Sequence, residues 1–334
     1  MTSAVNLDAR AALIGLDWGT TALRAYLFDP HGRVLASRAS DAGIMALPEP
    51  GGFDAAFEAI CGDWLDAAGS EPIPVIAAGM VGSAQGWREA PYVETPADER
   101  ALVAGIVRVR AARGVTVHII PGVIERSVLP NVMRGEETQI VGALADAAMT
   151  SAAPSGVLIG LPGTHAKWAV VRDARIETFH TFMTGEVFAA LRDHTILGRT
   201  MREPASPDVQ AFLRGVSVAR NEGEAGLLAT IFSTRTLGLT AQLQPQAQPD
   251  YLSGLVIGHE LVGLHAVLAK RGKSLAHESL RLIGSAALCE RYRLALAEFG
   301  CVDATVVDAA TERGLWRVAT AAGLLARDAA AAER

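Results

Sequence analysis

Hydrophobic and polar positions change period along this chain, and the changes mark its elements. Residues 13–18 form a nearly continuous apolar run, broken only by Gly15 and Asp17. Gly19-Thr20-Thr21 follows, and then a second run from Leu23 to Phe28 that ends at Asp29. Apolar run, tight turn and apolar run predict a β-hairpin, and residues 33–36 beyond His31-Gly32 predict a third strand. The same order returns after residue 157. Gly19, Thr20 and Asp29 have counterparts at one common offset in Gly163, Thr164 and Asp173, and a third strand starts at Arg175. One strand–turn–strand–turn–strand unit therefore opens each half of the chain.

Between and after these units the spacing alternates. Phe53, Phe57, Ile60 and Trp64 recur at helical intervals and predict a helix over 53–67; residues 74–78 read as a buried strand leading into Gly79. Further helices are expected over 97–112, 186–192, 208–220, 222–236, 286–299 and 312–332, and further strands over 115–120, 280–283 and 304–307. Residues 255–258 read as a strand or buried turn before a helix running to Lys270. Residues 245–249, with two prolines, read as a surface loop. Strands alternating with helices predict an α/β fold with mixed sheets flanked by helices, in two similar lobes with a central cleft. The Ala-rich stretch over 143–155 is the expected crossover. It divides an N-terminal lobe (1–145) from a C-terminal lobe (146–334), with the last helix free to pack back on the first lobe.

Composition narrows the class. Half of the 334 residues are hydrophobic and a fifth are charged, which excludes disorder over most of the chain. Thirty basic against thirty-six acidic residues give a net charge of −6. No aromatic residues interleave with a basic stripe, so no nucleic-acid partner is expected. There is no basic leader before an apolar run and no uninterrupted apolar stretch of about 18 residues, so a cytoplasmic protein without a membrane partner is expected. Cys61, Cys289 and Cys301 are odd in number and match no metal spacing, and read as reduced core thiols. The Walker, dinucleotide and nucleophile-elbow patterns are missing, and His259 and His265 are too far apart for a zinc helix.

The sharpest candidate site is Asp17-Trp18-Gly19-Thr20-Thr21. A glycine turn between strands brings backbone N–H groups close to an anion, threonine hydroxyls add donors, and a carboxylate at the strand end can hold Mg²⁺ through water. A plain structural hairpin has the same look when it stands alone. Its second copy at Gly163-Thr164 changes the reading, since two such turns can grip the two ends of a polyphosphate.

Residues 14–29 resemble the first phosphate loop of the sugar kinase, hsp70 and actin superfamily. More narrowly, the chain resembles the 2-dehydro-3-deoxygalactonokinase family. The resembling segments are Ala78-Gly79-Met80-Val81-Gly82-Ser83-Ala84-Gln85-Gly86-Trp87, Met133-Arg134-Gly135-Glu136-Glu137-Thr138-Gln139, and Leu161-Pro162-Gly163-Thr164-His165-Ala166-Lys167-Trp168. Thr181-Phe182-Met183-Thr184-Gly185-Glu186, His194-Thr195-Ile196-Leu197-Gly198 and Leu282-Ile283-Gly284-Ser285 complete the set.

The resemblance implies a two-lobed actin-like ATPase (ribonuclease H-like) fold. It also implies ATP and Mg²⁺ as cofactors, and transfer of phosphate to the 6-hydroxyl of 2-dehydro-3-deoxy-D-galactonate in galactonate catabolism. The second loop departs from the superfamily pattern, because Leu161 stands where the first loop has Asp17. That departure keeps open a nucleotide-binding sensor or regulator on the same fold. A kinase of a different keto-deoxy sugar acid also stays open.

Under the kinase reading, Gly19, Thr20, Thr21, Gly163, Thr164 and Lys167 hold phosphates, and Gly284 with Ser285 approaches the adenosine. Asp17 holds the metal, although a role on the proton is open to it as well. The base that accepts the hydroxyl proton is expected at Glu136 or Glu137, where the family pattern usually has Asp and where both acids also suit a helix N-terminus. Ser83, Gln85 and Trp87 are candidates for the sugar. Arg24, Arg88 and Lys167 are candidates for its carboxylate, and spacing does not separate them. Ser285 also reads as a plain helix cap; Thr184-Gly185-Glu186 opens a helix and reads equally as a segment approaching the cleft or as a capped helix start. The partner is a small sugar acid, and a homodimer stays open.

Overall fold

The structure is a computed structural model that describes residues 11–49, 52–68, 72–144 and 156–325. The chain divides by contact into two compact units. One comprises residues 1–154, 171–178 and 308–334; the other comprises 155–170 and 179–307.

The first unit is built on β1 (Leu13–Trp18), β2 (Leu23–Phe28) and β3 (Val34–Ser40), an antiparallel meander in which Asp17 pairs with Arg24 and Trp18 with Leu23. Helix α1 (Gly52–Ala67) buries Phe57, Ile60 and Trp64 against this sheet, and β4 (Val75–Gly79) lies parallel to β1. The remaining elements are β5 (Tyr92–Glu94), α2 (Glu99–Ala104), β6 (Val107–Arg110), β7 (Thr116–Ile119), β8 (Gly122–Glu125), β9 (Asn131–Met133), α3 (Glu136–Ala143) and, from the C-terminal end, α10 (Ala310–Ala321). The large sheet runs β3-β2-β1-β4-β7-β6, and β5-β8-β9 forms a small one.

The second unit carries the other hairpin. Its sheet runs β12 (Arg175–Phe182), β11 (Ala166–Arg172), β10 (Val157–Leu161), β13 (Leu280–Leu282), β14 (Ala304–Val306), with β10, β13 and β14 parallel. Helices α4 (Thr184–His194), α5 (Val209–Glu222), α6 (Leu227–Thr230), α7 (Ser233–Leu239), α8 (Gln248–Ala269) and α9 (Ala286–Glu298) complete it. Both large sheets place a three-strand meander beside a parallel strand reached by a crossover, so this is the mixed α/β, ribonuclease H-like arrangement of the actin-like ATPases.

Several segments differ from the sequence expectation. The helix expected over 97–112 is only α2, capped by the Asp98 side chain and ended by Gly105. Val107-Arg108-Val109-Arg110 then alternates with period two and joins the sheet edge. The stretch 255–258 lies inside α8, a single 22-residue helix. Its β-branched run suggested a strand because this helix is buried on several sides and shows no polar stripe. Gly215, Gly254 and Gly258 leave no room for a Cβ, which brings the α5 and α8 backbones into contact. Length and composition would suit α8 to a membrane, but most of it is enclosed by the fold.

The loop expected over 245–249 instead leads into α8, with Gln248 buried and accepting a hydrogen bond from Thr200 Oγ1 at 2.8 Å. Gly226, at φ 81°, splits the helix expected over 222–236. The last helix ends at Ala321; residues 326–332 of its expected span, and 145–155 of the expected crossover, lie outside the described residues. The small sheet had no counterpart in the sequence reading. All three cysteines are buried and unbridged.

Candidate functional site

The first turn is held from one side by its own carbonyls. Gly19 N–H donates to Ala22 O at 2.9 Å, while Ile44 and Met45 N–H groups donate to Gly19 O and Thr20 O, each at 3.1 Å. Gly43 lies flat on the turn: a Cβ there would meet Thr20 O at 2.4 Å. With the carbonyls engaged, the Thr20 and Thr21 N–H groups have no acceptor among the described residues, and both residues are exposed. This is a set of donors facing outward.

Asp17 precedes this turn on β1. Burial holds its carboxyl above the usual carboxylate range. Arg24, across the hairpin at 3.4 Å, opposes that, and the charges of Glu312 and Glu136 add to it. Glu136 arrives here because α3 starts at Gly135, a residue at φ 109° whose Cα side faces Gly79 so closely that a Cβ would lie 3.3 Å from Gly79 Cα. Gly79 pairs in register with Trp18. Glu312 arrives through α10, which packs on α3 backbone to backbone at Gly142 and Gly314.

The two glutamates that open α3 differ. Glu136 is half-buried and accepts from Arg134 N–H at 2.9 Å. Glu137 is fully buried, accepts from Gly135 N–H at 2.7 Å and Thr138 Oγ1 at 3.0 Å, and burial with the Glu136 charge pushes its carboxyl up to about 7.

Of the expected sugar residues, Gln85 is exposed, while Ser83 is buried with an Oγ that finds no partner. The half-buried Trp87 ring stacks on Phe53 at 5.8 Å and meets Trp18 and Phe57 at an angle, so it packs against the core. All of these residues belong to the first unit.

The second turn is built differently. Gly185 presses on it, since a Cβ there would meet Gly163 O at 2.6 Å, and Glu186 N–H donates to Thr164 O at 3.1 Å. The start of α4 is thereby clamped to the turn, and the His165–Glu186 side-chain pair ties it again. Beneath lies Glu260, buried on α8, which accepts from Trp168 Nε1 at 2.6 Å, Tyr292 OH at 2.7 Å and Thr184 Oγ1. Burial raises its carboxyl above the usual range, and the three donors act against that.

Gly163 itself faces open space. With Thr164 and Gly185 it lines a cavity of about 910 Å³ that extends past Phe188, Asp250 and Arg291. Lys167 is buried, with Nζ 3.4 Å from His165 O. Gly284 lies beside Pro162, and Ser285 caps α9 by accepting from Leu288 N–H at 3.4 Å.

A family model described as 2-keto-3-deoxy-galactonokinase matches residues 17–318. The chain belongs to the 2-keto-3-deoxy-galactonokinase family. It is 34% identical over 314 residues to the 2-dehydro-3-deoxygalactonokinase of Escherichia coli (strain K12), covering 93% of this chain and 98% of that protein. It is 38% identical over 315 residues to a Rhizobium meliloti (strain 1021) protein provisionally given the same name, covering 92% and 96%. A crystal structure of a Sinorhizobium meliloti protein, provisionally assigned as a 2-dehydro-3-deoxygalactonokinase, superposes with a TM-score of 0.80 at 34% identity, covering 92% of this chain and 98% of that one.

Within this galactonokinase-family chain several residues at the site had no sequence signal. Gly43 acts through the Cβ it lacks, as does Gly185, whose segment the sequence did single out. Glu260 and Glu312 lie far along the chain from the turns they serve. Asp250 and Arg291 look like ordinary helix-surface charges in sequence, yet they pair with each other, and Asp250 also accepts from Asp208 N–H at 2.7 Å. Arg134 lies in one of the family-like segments, but only the fold shows that its Nε and Nη1 are buried.

Proposed function

We propose that this chain is an ATP-dependent kinase acting on the 6-hydroxyl of 2-dehydro-3-deoxy-D-galactonate. The family match over residues 17–318 carries the reading and favours the kinase over a sensor or regulator. The donor sets support it. Free N–H groups at Thr20 and Thr21, and the open face of Gly163 above its cavity, fit phosphate oxygens.

Among the described residues no three His, Cys, Asp or Glu side chains converge as a metal cage. Mg²⁺ keeps its waters and needs one or two carboxylates besides phosphate oxygens, and Asp17 is the carboxylate assigned to it in this reading. When bound, Mg-ATP supplies the phosphoryl group and neutralises its charge.

Each unit has its own part. In the first, Gly19, Thr20 and Thr21 bind phosphate and Arg24 trims the charge of Asp17. Glu136 takes the proton from the sugar hydroxyl, because it is the glutamate of the pair with an exposed side. Glu137 is sealed in and holds the Gly135 turn through the N–H of that glycine, so its part is to position Glu136. Ser83 and Gln85 of the same unit are assigned to the sugar. In the second unit, Gly163, Thr164 and Lys167 serve the phosphates, and the Gly284-Ser285 turn serves the nucleoside.

The test is ADP release from Mg-ATP with 2-dehydro-3-deoxygalactonate, its gluconate epimer, galactonate, gluconate and a blank without sugar. Turnover confined to the galactonate-derived keto acid is expected. Equal turnover on the gluconate-derived epimer would move the substrate assignment, and no turnover on any acid would overturn the kinase.

A further inference from the structure

The cavity beside the second turn lies wholly in the second unit, and one ion pair in its wall has no part in the proposed reaction. Gly163 and Thr164 line this cavity, and so do Asp250, Ser253 and Arg291. Helix α8 measures the distance between the two groups. Its Glu260 is bonded to Thr184, at the start of the helix that is clamped to the turn. Asp250 stands ten residues earlier on α8, about 15 Å back along the axis. Helix α9 leads the same way. It starts at Ser285, next to the Gly284 that lies beside Pro162. Leu288, Arg291 and Tyr292 follow on the single face that lines the cavity. The cavity thus continues from the phosphate turn to the Asp250–Arg291 pair.

The Arg291 guanidinium is fixed in place and open to this space. Its Nη1 donates to Ser253 Oγ at 3.2 Å, its Nη2 pairs with Asp250, and its Cζ lies over the Phe212 ring, 5.4 Å from the centroid. Asp250 is buried, and its second oxygen accepts from Asp208 N–H at 2.7 Å, which ties the carboxylate to the cap of α5. Bonds at two of the three nitrogens fix the orientation of the guanidinium plane. Its side chain is still 29% exposed. Asp250 already neutralises its charge, so an anion gains little here. A planar heteroaromatic ring gains more, because guanidinium planes stack on such rings. The other wall repeats the device: Phe188 and Arg192 line the same cavity, with Arg192 bonded twice to Asp193 and its Cζ over the Phe188 ring.

We propose that Arg291 selects the nucleobase. Its guanidinium, fixed by Asp250 and Ser253, stacks on the base and favours purine over pyrimidine nucleotides, since a two-ring base stacks more strongly than a one-ring base. Asp250 is a positioning residue that acts through Arg291. This rests on the nucleotide site of the kinase reading and adds what that site selects.

The test measures binding without the sugar acid, so it does not depend on turnover. Calorimetric titrations in Mg²⁺ use ADP, GDP, CDP, UDP and tripolyphosphate. The wild type is expected to bind the two purine diphosphates at least about 5-fold more tightly than the two pyrimidine ones. Arg291→Gln should weaken the purine nucleotides about 5- to 30-fold, bring them level with the pyrimidines, and leave tripolyphosphate unchanged. Arg291→Lys, which keeps the charge without the plane, should lose the same preference. Asp250→Asn keeps the shape, loosens the guanidinium, and should lose part of it. An equal affinity of the wild type for all four diphosphates would overturn the assignment. So would an intact purine preference in Arg291→Gln, or a loss of tripolyphosphate binding as large as that of ADP. If Arg291→Gln fails to fold with Asp250 unpaired, the double exchange Arg291→Gln with Asp250→Asn leaves no buried charge and decides by the same ratio. A purine preference that these variants abolish, in a wild type that phosphorylates no keto-deoxy acid, would keep this assignment and fail the kinase reading.

Discussion

The two Gly-Thr turns share a strand pattern and differ in what stands behind them. The first is backed by a loop: Gly43 lies against it, and the Ile44 and Met45 amides occupy its carbonyls. The second is backed by a helix, whose start at Thr184-Gly185-Glu186 is clamped to the turn and anchored from below by Glu260. The first carries an acid at the strand end and collects Glu136 and Glu312 around it. The second has Leu161 there, buried, and opens on a large cavity. Under the proposed kinase reading, the repeated turn serves two tasks: metal and proton handling in one unit and holding of the nucleotide in the other.

The largest effect expected from breaking this division is at Glu136. Glu136→Gln keeps the shape of the α3 start and removes the carboxylate proposed as the base. A general base contributes roughly 10²–10⁴-fold. A fall of that order in kcat is expected, with KM for ATP unchanged, because the change leaves the second unit untouched. Steady-state kinetics with both substrates varied checks this. A kcat within a few-fold of wild type would remove Glu136 from the proton's path.

Next come the two glycines that press on the turns. Gly43→Ala would drive a methyl into the Thr20–Ala22 backbone, and Gly185→Ala would do the same at Gly163 O. Overpacking against backbone costs about 1–3 kcal/mol. Both should lower Tm, measured by thermal melts. They should differ in kinetics: Gly185→Ala should chiefly raise KM for ATP, and Gly43→Ala should chiefly lower kcat. The same kinetic signature from both would mean that the turns do not divide the work as described.

Much of this comparison was legible in the sequence. Matched hairpins, with glycine and threonine at one offset, announced the turns, and strand–helix alternation announced the sheets. What stayed hidden has a physical reason in each case. Gly43 and Gly185 matter through close approach between segments distant in sequence. Glu260 looks like a solvent-facing charge until the helix around it is found to be enclosed. Trp87 read as a sugar contact because it stands in a glycine-rich loop; its packing against Phe53 and Trp18 has no signal in the sequence. The helix expected over 97–112 failed because a short helix and a short amphipathic strand follow each other there without a proline between them.

A smaller effect is expected from Glu137 and pH. Burial raises its carboxyl from an ordinary 4.5 to about 7. Between those values the folded chain keeps a proton that the unfolded chain releases, so folding takes up a proton and stability falls as pH rises. The contribution is fully present below about pH 4.5 and lost as pH passes 7, at most about 3 kcal/mol. Urea melts at pH 5.5 and 8 should show the wild type losing part of this. Glu137→Gln cannot ionise, keeps a hydrogen-bonding side chain, and should lose less over the same interval. An identical loss in the two would place the responsible group elsewhere.

The smallest effect separates capping from nucleotide contact in the second unit. Ser285 Oγ accepts from Leu288 N–H and so satisfies one of the open donors at the start of α9. Removing such a cap costs about 1 kcal/mol. Ser285→Ala should therefore lower stability by that amount. If capping is its whole contribution, KM for ATP stays within about two-fold, and Ser285→Asp, also a good cap, restores the stability. If the side chain also serves the nucleoside, KM for ATP rises in Ser285→Ala, and the new charge of Ser285→Asp fails to bring it back. The position equivalent to Ser285 in the first unit follows β4, where Gly79 turns against Gly135 and no helix cap is formed. A kinetic effect at Ser285 would accordingly extend the division of labour from the two turns to the parallel strands beside them, while a purely structural one would confine it to the turns.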